Sequence, residues 1–122
     1  MVRITAEDFS IDEIVRAMKS PEVGAISIYL GTVREFPRGA GLEFKHSESA
    51  LQKLEQIRKK ALLNFDIKDA AIVHRVGFLG ISENILLIAV SAVHRQPAFA
   101  ACHSIIDDIK ELHKSWGREV TK

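Results

Sequence analysis

The chain has 122 residues, 47% of them hydrophobic and 27% charged, enough for one domain with a real core and too little for two. Its 17 Lys and Arg against 16 Asp and Glu leave a formal charge of +1, so no global field favours nucleic acid or an anionic membrane, and any anion site has to be local. The one cysteine, Cys102, excludes an internal disulfide framework and the multi-cysteine zinc patterns.

"MVRITAEDFS" has no apolar leader core, and no segment approaches the roughly 20 apolar residues of a membrane span. The expectation is a cytoplasmic protein with a single domain over residues 1–122. In "FSIDEIVRAMKSP", Ser10 and Glu13 have capping-box spacing and Phe9 can staple onto Ile14, which predicts a short helix over about 11 to 19. "GAISIYLGTV", 24 to 33, sets Ile26, Ile28 and Leu30 on one face at period two and reads as a strand. "REFPRGAG", 34 to 41, is broken by Pro37, Gly39 and Gly41 and predicts a flexible loop carrying two arginines. A short strand is expected around Leu42 to Lys45. In "SESALQKLEQIRKKALLNF", Leu51, Leu54, Ile57, Ala61 and Phe65 recur at helical spacing with charges on the other face. "AAIVHRVGFL" and "ENILLIAVSAV" read as two strands around the turn "GISEN". The second is apolar at nearly every position, which places it inside a sheet covered on both faces. Pro97 suits the first position of a last helix, in which Ala98, Cys102, Ile105, Ile106, Ile109 and Leu112 form one apolar stripe.

The candidate functional residues cluster around that helix. His94 and Arg95 end the apolar strand directly before it, where unpaired backbone N–H groups and the helix dipole favour an anion and an arginine adds a bidentate fork. The competing reading is a structural arginine paired with an acid across the sheet. Lys110 falls at the edge of the stripe, beside Phe99 and His103, where a lysine buries its stem and presents its ammonium at the rim of a cleft as a usable base or nucleophile. Its competing reading is a surface pair with Asp107. Arg34, leaving a strand into a Gly/Pro loop, is a third candidate cation. His46, His103 and His113 have no partners at zinc spacing, and no metal is assigned.

"GAISIYLGTVRE", "HRVGFLGISEN", "VSAVHRQPAFAACHSIIDDIK" and "WGRE" together resemble the large, catalytic subunit of molybdopterin synthase, over about Gly24 to Glu119. The most specific stretch is His-Arg-x-x-Ala-Phe followed, fifteen residues after the arginine, by Lys110. The resemblance implies an α+β fold, a hammerhead-like α/β portion with additional antiparallel strands. It implies an enzyme of molybdenum cofactor biosynthesis, a sulfurtransferase that converts cyclic pyranopterin monophosphate into the dithiolene of molybdopterin. The sulfur arrives as a thiocarboxylate on the Gly-Gly C-terminus of a small ubiquitin-like subunit, and no other cofactor is implied. The implied partners are that small subunit and a second copy of the chain, a homodimer within a heterotetramer. By motif position Lys110 corresponds to the lysine essential for sulfur transfer, and Arg34, His94 and Arg95 to substrate-pocket residues. Trp116 corresponds to a tryptophan suited to packing.

The resemblance also has gaps. The family has a lysine directly after that tryptophan, and here it is Gly117, with Arg118 or Lys114 as the nearest replacement charges and Arg118 the one assigned to substrate. Ser47 stands where an aromatic is usual, and the chain stops at Lys122, short of a longer tail that would line the pocket. The alternative reading is therefore a non-catalytic relative that keeps the dimer and the partner interface as a binding or regulatory module.

Overall fold

The computed structural model describes residues 1–122. In chain order the elements are β1 (Val2–Thr5), α1 (Ile11–Met18), β2 (Ala25–Thr32), β3 (Gly39–Phe44), α2 (Glu48–Asn64), β4 (Asp69–Arg75), β5 (Gly77–Gly80), β6 (Asn84–Ala92), α3 (Arg95–Trp116) and β7 (Gly117–Thr121).

A four-stranded sheet of order β1-β4-β6-β2 carries the core. β1 runs parallel to β4, and the other pairs are antiparallel. Successive side chains of a strand face opposite ways, and both faces are used here. Ala71, Val73, Leu87 and Ala89 pack with Ile14 and Met18 of α1. Ala70, Ile72, Leu86, Ile88 and Val90 pack with Leu54 and Ala61 of α2 and with Ala98, Ile105, Ile109 and Leu112 of α3. Two covered faces explain the unbroken apolar run of β6. The helices start as their sequence signals require: Ser10 Oγ accepts from the Glu13 amide at 3.2 Å, and Ser47 Oγ accepts from the Ala50 amide at 3.1 Å.

The additional strands form a separate antiparallel sheet of order β5-β3-β7. Its existence corrects two expectations. "AAIVHRVGFL" is two strands in different sheets, because Gly77 takes φ +96°, a left-handed conformation open to glycine, and turns the chain from one sheet to the other. The strand expected at Leu42 begins at Gly39, so the predicted 34–41 loop overlaps the start of β3. The last three residues of "WGRE" open β7, directly after the final residue of α3, a strand for which the sequence gives no local pattern. β1 is likewise absent from the sequence prediction. Pro97 is the third residue of α3 and not the first; its missing N–H costs nothing there, since the first four amides of a helix have no partner within it. No helix is long and apolar enough to cross a membrane.

Candidate functional site

A cavity of about 450 Å³ opens where the two sheets meet α3. Tyr29, Gly31 and Thr32 of β2 and Arg34 just beyond it form one wall, and Leu42 of β3 with Ile85 and Leu86 of β6 form the floor. Ile106, Lys110 and His113 line it from α3, three residues at helical spacing, and Glu119 stands at the β7 side. A wider groove of about 660 Å³ between α2 and α3 is lined by five charged residues, of which four pair among themselves, Lys60 with Asp108 at 3.1 Å and Lys114 with Glu111 at 2.9 Å, and one, Lys53, does not. The smaller cavity is the better candidate, because its cations are unpaired. Neither Arg34 nor Lys110 has an ion-pair partner; Asp107, the competing partner for Lys110, instead meets His103 at 3.4 Å.

The structure thus brings Arg34 and Lys110 together and leaves the other candidates elsewhere. His94 is the N-cap of α3 and makes no side-chain cap bond; both it and Arg95 are exposed at that end. At 1.5 Å rise per residue, Arg95 lies about 22 Å along the helix from Lys110. Within one chain the two cannot touch the same small ligand. Arg118 points its guanidinium at Glu43 across the β3–β7 pair, 2.6 Å away, and is not part of the cavity wall. Lys114 lines the other groove.

Sequence reading passed over the histidines that matter to this cavity. His74 is fully buried on β4, and its Nε2 lies 2.8 Å from Nε2 of His113. His74 Nδ1 lies 2.7 Å from the carbonyl oxygen of Arg75. Burial, and secondarily the neighbouring His113, lowers the His74 pKa to about 3. Burial, with the charge of Lys110 added, lowers that of His113 to about 4. Both rings are neutral at physiological pH. His113 sits three residues after Lys110 on one helix face, a signal visible in sequence; its long-range partner His74 is not.

A model of the MoaE protein family matches residues 4–112 of this sequence. The chain belongs to this family. It is 43% identical over 119 residues to the molybdopterin synthase catalytic subunit of Pyrococcus abyssi, spanning 94% of this chain and 80% of that one. Against the molybdopterin synthase catalytic subunit of Thermoplasma volcanium it is 35% identical over 123 residues, 98% of this chain and 90% of that one. The crystal structure of molybdopterin synthase from Staphylococcus aureus superposes with a TM-score of 0.85 at 30% identity, covering 98% of this chain and 90% of that one.

Gly117, where the MoaE resemblance leads one to expect a lysine, has a steric reason. A Cβ on it would lie 2.7 Å from Cε1 of Phe44, and Phe44 is itself buried at 1% exposure. That phenylalanine is held by rings on three sides, with centroids 4.7 Å from His74, 4.9 Å from His113 and 5.2 Å from Trp116. Trp116 adds a hydrogen bond from Nε1 to the Lys45 carbonyl at 2.7 Å, a packing and anchoring role. In this MoaE chain the space of a residue-117 side chain is already filled.

Two outcomes follow from these contacts. Gly117→Ala is expected to cost about 1–3 kcal/mol of stability through overpacking against Phe44, read as a lowered urea midpoint; a parental midpoint would show that Phe44 has room to move. In the unfolded chain both histidines return to their ordinary value near 6.5. Between about pH 6.5 and 4 the unfolded state therefore binds protons that the folded state does not, and stability falls as pH drops through that window. Urea midpoints measured from pH 7 to 4.5 check this, and a flat profile would mean that the pair is not buried as a neutral unit.

Proposed function

We propose that this chain is the catalytic subunit of a molybdopterin synthase, transferring sulfur from the C-terminal thiocarboxylate of a small ubiquitin-like subunit to cyclic pyranopterin monophosphate. The observation that carries the reading is the pair Arg34 and Lys110, unpaired cations lining one cavity of a MoaE-family chain. Substrate and donor are both anions, and lysine and arginine bind them by charge-assisted hydrogen bonds. Lys110 stabilises the oxyanion as sulfur leaves the acyl carbon, or exchanges protons with the pterin side chain. The substrate, two protein thiocarboxylates, one for each sulfur, and water, which takes each acyl group as a carboxylate when its sulfur leaves, supply all the reacting groups, so no further cofactor is invoked.

The working unit is a homodimer with a small subunit on each protomer. β2 is an edge strand, and Ile28 and Leu30 on it are 44% and 38% exposed; a second copy covering that face would remove apolar surface from water. His94 and Arg95, too far from Lys110 in their own chain, reach the reaction site from the partner copy. The second reading, a non-catalytic relative that keeps only the binding surfaces, is favoured by one observation, the filled space at Gly117.

The assay mixes the protein with thiocarboxylated small subunit and cyclic pyranopterin monophosphate and follows the oxidised dithiolene product by fluorescence. Lys110→Ala is expected to lower turnover by about 100-fold or more at an unchanged urea midpoint, because Lys110 is exposed. Parental turnover in that variant would sink the catalytic assignment, and binding without product in the parent protein would favour the second reading. If a site draws on two chains, mixing Arg95→Ala protein with Lys110→Ala protein restores part of the turnover that each lacks; no recovery would remove Arg95 from the site.

A further inference from the structure

His113 is the group of the cavity that the proposed reaction leaves without a task. A carbonyl oxygen only accepts hydrogen bonds, so the 2.7 Å contact with Arg75 O puts the proton of neutral His74 on Nδ1. His74 Nε2 is then an acceptor, and across 2.8 Å it is His113 that donates, from its own Nε2. His113 Nδ1 is left with a bare lone pair. Arg75 Nε is the only buried side-chain nitrogen or oxygen without a partner, so His113 Nδ1, which bonds to no protein group, keeps contact with solvent, and the residue itself lines the cavity.

The other charged groups facing this ring make a neutral acceptor useful. Lys110 of the same helix and Arg34 beyond β2 only donate, and Glu119 of β7 is an acceptor that repels an anion. A ligand that joins an anionic group to N–H and O–H donors needs both kinds of partner, and His113 accepts without adding negative charge. Its ring cannot swing away: Phe44 lies 4.9 Å from it between centroids, and His74 holds the far nitrogen.

We propose that His113 is a substrate-contacting residue whose Nδ1 accepts a hydrogen bond from an N–H or O–H group of the pterin while Lys110 and Arg34 hold the phosphate, and that His74 is the positioning residue that fixes this tautomer. The inference rests on the function proposed above for its substrate. Burial keeps both rings neutral, which preserves the acceptor at working pH.

The test is histidine-ring nitrogen spectroscopy on the 15N-labelled full chain at pH 7, with and without cyclic pyranopterin monophosphate, together with turnover of His113→Gln and His113→Asn. The expected spectrum shows His113 protonated at Nε2 only, with its Nδ1 the ring nitrogen that moves most on adding the pterin. His113→Gln keeps a donor for His74 but no acceptor at the Nδ1 position, so the KM for the pterin rises about tenfold at a parental urea midpoint. His113→Asn returns an acceptor near Nδ1 and recovers part of that loss. A protonated Nδ1, an Nδ1 unmoved by the pterin, or a parental KM in His113→Gln overturns the proposal. If the parent protein makes no product, the function proposed above fails, and the ring-nitrogen shift still decides this one.

Discussion

Helix α3 runs into β7 with no residue between them, Trp116 ending one and Gly117 beginning the other. Its buried stripe from Ala98 to Leu112 fixes it against the four-stranded sheet. Its continuation pairs in register with β3, Gly117 opposite Phe44, and so fixes it against the three-stranded sheet. One element is thereby tied to both halves of the molecule, and the cavity between them inherits a wall that cannot shift relative to either. Lys110 and His113 lie in the last two turns before that junction, on a rigid element, where a side chain is held more closely than a loop would hold it.

A nearly neutral protein acquires a local cationic site where two unpaired cations, Arg34 and Lys110, line one cavity. Arg58 with Asp69, Arg75 with Glu83, Lys68 with Glu22 and Arg118 with Glu43 all lie within 3.3 Å. Surface pairs of this kind add little stability; Arg34 and Lys110 belong to none of them and line the same cavity. Arg118, attractive in the linear sequence as a replacement cation, is spent on the β3–β7 ladder. The neutral His74–His113 pair completes the arrangement, since a protonated ring beside Lys110 would add repulsion in a buried setting.

The parts of the fold that the sequence makes legible are those written in local periodicity. The stripe of α3, the alternation of β2 and the Ser10 cap of α1 are short-range patterns, and each appears where its spacing puts it. β7 was illegible because "GREVT" has no alternating apolar face and owes its conformation to pairing with β3, 75 residues away across the Arg118–Glu43 contact. The break after Arg75 hinges on one glycine inside an otherwise continuous strand pattern. In the site, Lys110 was legible by its place on the stripe and by family resemblance, and Arg34 by its loop. The meeting of these two depends on the sheets closing around α3, and the His74–His113 bond spans 39 residues, beyond any local signal.

Where Phe44 meets the bare Cα of Gly117, a large ring at 44 and a side chain at 117 compete for the same space, so substitutions at the two positions are coupled. Placing a lysine at 117 in this chain therefore calls for a smaller residue at 44 in the same variant, since the lysine alone overpacks the site and the smaller residue alone leaves a void. Packing couples 117 to 44 and, through the rings that touch Phe44, to His113 and Trp116 as well.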